Sequence, residues 1–250
     1  MPLIDRHIMY LSRRRKGKEE GRQIMIKIAN LSKSYKGKIV VNDLSFSVEE
    51  KEAFALLGSN GAGKSTTIKM ILGLVKADKG EIQVKDKKTI GYSPETPSFP
   101  SFLNGAEVLT YYAKLQNIPK PEIEETVERL MQTVGLEIDK TKVKFYSKGM
   151  LQRLALAQAL LGDPDILLLD EPCAGLDAMG RIEMIELLKR LKKQGKTIII
   201  NSHILSDIEK VCDRGIVMNR GKLMRSWNQV DINEECTLED IFTQTLGGAM

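Results

Sequence analysis

The chain has 250 residues, of which 42% are hydrophobic and 28% charged, as in globular proteins with one large or two small domains. No apolar run approaches the roughly 18 residues that a membrane-spanning helix needs, so we expect no membrane span. The net charge is +5, but the seven bases and three acids of residues 1–24 supply +4 of it, which leaves no basic surface for duplex binding. The odd, widely spaced Cys173, Cys212 and Cys236 favour a reducing compartment without disulfides or a zinc site.

The first 24 residues show neither a helical nor a strand pattern. We interpret residues 1–24 as a basic, disordered leader, with a basic arm attracted to a membrane as the alternative. A better-patterned stretch begins at Met25, which we expect to be the physiological start. One domain is predicted over 25–246, followed by a tail over 247–250.

Short apolar segments recur along the rest of the chain. Strands are predicted at 24–28, 44–48, 53–57, 81–84 and 89–92, and a helix at 64–75. Residues 104–162 have mostly helical periodicity, with Leu109, Tyr112 and Leu115 on one apolar face. After Gly162 strands and helices alternate, and apolar runs without strict alternation are typical of parallel strands buried on both faces. The pattern predicts an α/β core with a helical insert and mixed or antiparallel strands near the amino terminus.

The segment GSNGAGKST (58–66) follows a predicted strand and opens a predicted helix, and it matches the phosphate-binding pattern G-x-x-x-x-G-K-[ST]. Its glycines allow a tight turn whose backbone N–H groups bind phosphate. Lys64 is expected to reach the β and γ oxygens, and the Ser65 hydroxyl to ligate Mg²⁺. A chance glycine-rich turn is the alternative, which the strand–turn–helix setting disfavours. The predicted nucleotide-binding residues here are Gly58, Ser59, Asn60, Gly61, Ala62, Gly63, Lys64, Ser65 and Thr66.

A second motif, ILLLDEP (166–172), is an apolar strand that ends in two carboxylates. Asp170 is expected to hold Mg²⁺, and Glu171 to accept a proton from the attacking water. Such a pair is often only the polar end of a strand. The phosphate-binding loop elsewhere in the chain favours the functional interpretation.

Lys64 and Asp170 are separated by 106 positions, much of which the helical insert fills. In these motifs and their spacing the chain resembles the ATP-binding subunits of ABC transporters over roughly residues 25–246. The resemblance implies an ABC-type P-loop fold with a helical insert at about 95–162 and an antiparallel or mixed β subdomain at the amino terminus. It also implies ATP hydrolysis, with ATP and Mg²⁺ as cofactors.

Further residues match the family in serial order. Tyr35 stands where the family has an aromatic residue that stacks on adenine, although a surface tyrosine is the alternative. The segment YSKGMLQRL (146–154) resembles the signature motif, in which Ser147 and Gly149 would contact the γ-phosphate bound by a facing subunit. Lys148 lies between them. Ser147 is equally suited to an ordinary helix N-cap.

Two more positions follow the second carboxylate motif. In AGLD (174–177), Asp177 resembles the family's interface aspartate and also suits the N-cap of the next helix. His203 comes directly after a core strand, and the resemblance implies that it contacts the γ-phosphate and orients the water. A structural histidine is the alternative, but strand ends of an open α/β sheet face the ligand crevice.

The chain also departs from the family pattern. Glu95 stands where a glutamine is usual, and we expect its carboxylate to reach the metal or the attacking water. Tyr146, Lys148 and Met150 replace three of the five residues of the usual LSGGQ signature. Both departures resemble the branch of ATPases that pair with a separately encoded permease, often in export.

The resemblance implies a head-to-tail dimer with a second copy or a homologous subunit, because the signature can reach a γ-phosphate only from a facing chain. It implies a polytopic permease as partner and a position on the cytoplasmic face of the cell membrane, with no nucleic-acid partner. One alternative is a soluble ABC-type ATPase acting on a cytosolic assembly or nucleic acid. Another is a non-hydrolysing regulatory domain, which the intact Lys64, Asp170, Glu171 and His203 disfavour.

Overall fold

The computed structural model describes residues 23–85 and 89–247, so most of the predicted leader and tail lies outside the described residues. The strands are β1 (Ile24–Tyr35), β2 (Lys38–Glu49), β3 (Ala53–Gly58), β4 (Lys79–Val84), β5 (Ile90–Ser93), β6 (Ile166–Asp170), β7 (Thr197–Asn201), β8 (Arg214–Asn219) and β9 (Lys222–Asn228). The helices are α1 (Lys64–Ile71), α2 (Gly105–Leu115), α3 (Lys120–Val134), α4 (Lys148–Ala159), α5 (Ala178–Lys193), α6 (Leu205–Val211) and α7 (Leu238–Gly247). Short 3₁₀ turns lie at Val143–Phe145 and Gln229–Asp231.

The strands form two sheets. The smaller has the order β2-β1-β4 and is antiparallel, as predicted for the amino-terminal part. The larger has the order β5-β6-β7-β3-β8-β9 and is parallel except for β9, which returns antiparallel to β8. Every residue of β3, β6 and β7 is buried, which explains why these strands have continuous apolar runs.

Apolar clusters cover both faces of the larger sheet. Because side chains alternate along a strand, Phe54 and Leu56 of β3 face a cluster shared with β1, β2 and α1. Ala55 and Leu57 face the opposite cluster, to which the helices after β5 contribute. The strand ends that carry polar residues are thus fixed from both sides.

The segment predicted to be helical holds α2, α3 and α4. A capping box begins α2, in which the Asn104 side chain accepts from the Glu107 N–H and the Glu107 carboxylate accepts from the Asn104 N–H, each at 2.8 Å. Gly135 ends α3 in the left-handed conformation (φ 68°). The prediction of a helical insert is confirmed. No helix in these described ranges is long and apolar enough to cross a membrane.

Two details of the predicted elements are wrong. The helix predicted over 64–75 ends at Ile71, because Gly73 turns the chain with a φ of 70°. Leu115 does not share the apolar face of α2 and is 59% exposed. The buried face of α2 carries Leu109 and Ala113, and Leu115 projects from the helix well away from it.

Candidate functional site

The glycine-rich loop lies between β3 and α1 and depends on glycine at both ends. Gly58 has a φ of 154°, and a Cβ there would overlap the carbonyl oxygen of Met218. Gly63 has a φ of 102°, and its Cβ would lie 2.6 Å from the Val40 carbonyl oxygen. Within the loop, the Ala62 N–H donates to the Ser59 carbonyl at 3.0 Å. Only glycine fits this path of the chain at its ends.

Lys64 is buried inside the loop that precedes it. Its Nζ donates to the carbonyl oxygens of Gly58 at 2.7 Å and Ser59 at 3.2 Å. Burial lowers the pKa of Lys64, while the nearby carboxylates of Glu171, Asp170 and Glu95 raise it. The ammonium group is therefore held at the centre of the loop, close to three acids. Other residues of the loop are exposed to solvent: Ser59, Asn60, Gly61 and Ser65.

Asp170 ends β6 beside the last residue of β7. The two strands are parallel, and Asp170 pairs in register with Asn201, whose Nδ2 donates to the Asp170 carboxylate. Burial raises the pKa of Asp170, and the hydrogen bond from Asn201 acts in the opposite direction. The carboxylate thus lies largely out of water, where a cation stabilises it more strongly.

Glu171 has an unusual backbone and a fully paired carboxylate. Its φ is 51°, a left-handed conformation that costs a residue other than glycine on the order of 1 kcal/mol, and its N–H donates to the Asn201 carbonyl at 2.8 Å. The Ser202 hydroxyl donates to Oε2 at 3.0 Å. His203 Nδ1 is in hydrogen-bond contact with Oε1 at 2.8 Å, and its side chain is 68% exposed. One edge of the His203 ring is therefore held by Glu171 while most of its surface faces solvent.

Glu95 follows β5 and is exposed, yet its backbone is anchored. Its carbonyl accepts a hydrogen bond of 2.8 Å from Nε2 of Gln152, which is only 1% exposed. The negative charge of its carboxylate acts to raise the pKa of Asp170 and the pKa of Lys64. Gln152 is a functional candidate that the sequence analysis missed. The available signal was a polar residue spaced four and seven positions before the buried Leu156 and Ala159.

The segment that resembles the signature begins α4. Ser147 is the N-cap and accepts from the Met150 N–H at 3.2 Å. The Lys148 side chain lies across Gly175, and a Cβ on Gly149 would lie 3.0 Å from Cδ2 of Leu176. The start of α4 therefore packs on the loop that leads to Asp177. Tyr146 is buried just before it, and its hydroxyl accepts from the Gly105 N–H at 3.2 Å.

Asp177 and Tyr35 have local roles as well. Asp177 is the N-cap of α5 and accepts from the Gly180 N–H at 2.8 Å. Tyr35 lies at the β1–β2 hairpin, is 45% exposed, and has the Lys33 ammonium 5.5 Å from its ring centroid. Both side chains are available to a ligand or a second chain.

The structure thus brings one group of the predicted residues together and leaves another apart. Hydrogen bonds or electrostatic interactions connect the first set, called here the joined group: Lys64, Asp170, Glu171, Glu95 and His203. Within residues 23–85 and 89–247, no hydrogen bond or ion pair joins this group to the remaining predicted residues outside the loop, Tyr35, Ser147, Lys148, Gly149 and Asp177.

Chemically, the joined group offers a lysine and a helix start for phosphate and hard oxygen donors for a divalent cation. The described residues hold no set of three or more acidic, histidine or cysteine side chains able to bind a metal alone. Asp170 offers a buried carboxylate, and Ser65 an exposed hydroxyl directly after Lys64. Oxygen donors of this kind fit Mg²⁺, which retains several waters and completes its coordination with substrate phosphates. The site fits a magnesium nucleotide.

Comparison with known proteins agrees with this site. Residues 41–174 match the family described as ABC transporter. The chain therefore belongs to the ABC transporter family, in its class of ATP-binding proteins. This confirms the predicted membership of the ABC family, and solved structures confirm the predicted mixed α/β fold.

Three similar proteins give the extent of the likeness. An uncharacterized ABC transporter ATP-binding protein of Synechocystis is 42% identical over 76% of this chain, and the match spans 56% of that relative's length. The Nod factor export ATP-binding protein I of Rhizobium johnstonii is 40% identical over 80% of this chain and 68% of its own. The solved ATP-binding subunit of an ABC transporter has a TM-score of 0.79 and 28% identity, covering 89% of this chain and 99% of that one.

Proposed function

We propose that this chain is the ATP-hydrolysing subunit of an ABC transporter. Two copies act as a head-to-tail dimer on the cytoplasmic face of the membrane and drive export through a partner permease. The observation that carries the proposal is the carboxylate of Glu171, held between Ser202 and His203 beside Lys64 and Asp170.

The glycine-rich loop would bind the phosphates of ATP. Lys64 exchanges its two loop carbonyls for the β and γ oxygens. The exposed Ser65 hydroxyl and the carboxylates of Asp170 and Glu95 would hold Mg²⁺, which would neutralise charge on the phosphate oxygens. Tyr35, exposed at its hairpin, stacks on adenine.

Hydrolysis would use the residues around Glu171. A water attacks the γ-phosphorus, its proton passes to the Glu171 carboxylate, and the bond from the γ-phosphorus to the bridging oxygen breaks to release ADP. His203 orients this water and contacts the γ-phosphate from its exposed side. Lys64 stabilises the charge that develops on the phosphate oxygens.

A second copy of the chain would complete the site. No hydrogen bond or ion pair connects the joined group around Lys64 to four other described residues, Ser147, Lys148, Gly149 and Asp177. Ser147 nevertheless offers a hydroxyl, and Gly149 an N–H, at the start of a helix. Contributed by a facing chain, they close over the γ-phosphate that the first chain binds. A two-fold axis then gives two equal sites. Hydrolysis removes the bridging phosphate, and the dimer opens.

The permease would dock in a groove beside the Glu95 loop. The groove has a volume of about 800 Å³ and lies between β5, the loop after it, and the helices α2 and α4. Aromatic side chains line it, including Tyr92, Phe99 and Tyr112. Because the Glu95 loop forms one wall and is bonded to Gln152, movement at the nucleotide reaches the docked partner. The export direction is supported by the name of the Rhizobium relative.

Phosphate release by the purified chain with Mg-ATP tests the proposed hydrolysis. Lys64→Ala should remove both ATP binding and phosphate release, because nothing else in the loop supplies a buried cation. Lys69→Ala is the matched control, since Lys69 is an exposed lysine in the same helix, and it should behave as wild type. Near-normal hydrolysis by Lys64→Ala would refute the assignment of the loop.

The transporter role needs a test in membranes. Tagged Glu171→Gln, purified with Mg-ATP from detergent-solubilised membranes of the native host, should bring a polytopic membrane protein in stoichiometric amount. The same purification with tagged Lys64→Ala is the control, because it shows which proteins are captured by a chain that cannot bind ATP. Soluble partners or RNA, with the chain absent from the membrane fraction, would contradict the transporter role and favour a soluble ATPase.

A further inference from the structure

Arg181, Asp207 and Cys173 form a polar cluster near Glu171 that the proposed reaction does not use. Arg181 of α5 donates from Nη2 to Oδ1 of Asp207 in α6 at 2.8 Å. The Asp207 side chain is only 8% exposed, and the buried Cys173 lies beside it. Burial, assisted by the Asp207 carboxylate, raises the pKa of Cys173 to about 12, so the thiol stays protonated.

Each member of the cluster is close in sequence to one predicted site residue. Arg181 is one helical turn after Asp177, and its N–H donates to the Asp177 carbonyl at 2.9 Å. Asp207 lies four positions after His203, in helix α6, which begins just after the loop that carries His203. Cys173 follows Glu171 by two positions. The ion pair therefore joins the segment that carries the interface aspartate to the segment that carries the histidine.

Stability alone does not account for this arrangement. A partly buried ion pair usually contributes little net free energy, because desolvation offsets the attraction. Oδ2 of Asp207 is enclosed, and besides Arg181 the carboxylate interacts with the Cys173 thiol, which is only a weak donor. A weak donor does not fully offset the desolvation of a buried carboxylate oxygen. An apolar pair would fill the same space between α5 and α6, but it would not fix the two helices in a directional way.

We propose that Arg181 and Asp207 are positioning residues for hydrolysis, an inference that rests on the proposed ATPase activity. Their ion pair fixes the His203 loop against the Asp177 loop. His203 and Glu171 are then fixed at the γ-phosphate that their own chain binds, in a single arrangement relative to the Asp177 that the same chain offers to the facing subunit. Phosphate binding by the glycine-rich loop does not depend on the pair.

Steady-state hydrolysis by Arg181→Met tests the proposal, because methionine keeps much of the apolar stem and removes the charge. We expect kcat to fall about 10- to 100-fold, as for a misplaced catalytic group, while KM for ATP stays within about threefold of wild type. Arg181→Lys should recover most of the loss, since Arg181 makes a single contact with Oδ1 rather than a bidentate one. A purely structural role would not give this split between kcat and KM.

Lys192→Met is the matched control. Lys192 lies on the same helix and forms a partly exposed ion pair of 2.6 Å with Asp213, away from the predicted site residues. We expect its kcat and KM to remain at wild-type values. A double variant, Arg181→Met with Asp207→Asn, should lose no more than the poorer single variant, because both changes remove one interaction.

If the wild-type chain hydrolyses ATP, any one of three results would overturn the inference. These are a wild-type kcat in Arg181→Met, no recovery of kcat in Arg181→Lys, and losses of kcat that multiply in the double variant. A wild-type chain that binds ATP but does not hydrolyse it would instead refute the proposed function, and this inference with it.

Discussion

Glu171 and Lys64 are both held by groups of their own chain. Glu171 has a φ of 51° and has both carboxylate oxygens paired, so its position is set before any ligand binds. Lys64 is paired with two loop carbonyls and so avoids being a buried, unpaired cation. Such prior arrangement lowers the cost of organising the site during the reaction.

Glu95 differs from these two residues because its side chain is exposed. We expect Glu95→Gln to change kcat by less than about tenfold, since water and salt screen an exposed charge. Its backbone anchor to Gln152 is unaffected by the change. Steady-state hydrolysis by the purified variant measures this. Complete loss of activity would mean that the negative charge itself is required.

At the scale of elements, three neighbouring strands of the larger sheet bring the site together. β3, β6 and β7 are parallel neighbours, so their carboxyl ends meet at one edge, and each is followed by site residues. The Glu95 loop follows β5, the next strand in the same sheet. The hydrogen bond from Gln152 of α4 to the Glu95 carbonyl connects this edge of the sheet to α4, whose N-cap is Ser147.

The sequence predicted these strands because fully buried parallel strands have continuous apolar runs, as in residues 166–169. It predicted the loop because glycine spacing reports local backbone geometry at Gly58 and Gly63. It did not reveal Gln152 or the Arg181–Asp207 pair. Helical spacing marks Gln152 as a polar residue on a buried face, but it does not identify the partner in either contact, because the joined residues are 57 and 26 positions apart. The end of α1 at Ile71 was also missed, because its apolar pattern continues past the helix.

Gln152→Leu tests the link between α4 and the Glu95 loop. Leucine has a similar size and removes the donor to the Glu95 carbonyl, together with the buried Oε1 that lacks a partner. We expect the free energy of unfolding to change by about 1 kcal/mol or less, because the exposed loop carbonyl can bond to water. Phosphate release should nevertheless fall, because the Glu95 loop is no longer fixed.

Gln158→Leu is the control for this variant, since Gln158 lies on the same helix but lines the groove instead. Urea unfolding and phosphate release should both remain near wild type in the purified chain. Equal phosphate release in Gln152→Leu and Gln158→Leu would show that the link has no part in hydrolysis.

At the scale of the whole molecule, the proposed function gives each chain two incomplete halves of a site. One half contains the glycine-rich loop and the carboxylates, and the other contains Ser147, Gly149 and Asp177. Met179 and Ile182, two and five positions after Asp177, are exposed and add apolar surface near this second half. Joining two such chains head to tail would complete both sites at once, so ATP is expected to control the assembly.

Sedimentation of Glu171→Gln with and without Mg-ATP tests this expectation most directly. Glutamine keeps the shape of the side chain and removes the base, so ATP stays bound and the bridging phosphate is retained. We predict a species of twice the 28.0 kDa chain mass with Mg-ATP, and a monomer with ADP or when Lys64→Ala is added. A Glu171→Gln chain that remains monomeric while saturated with ATP would contradict the account.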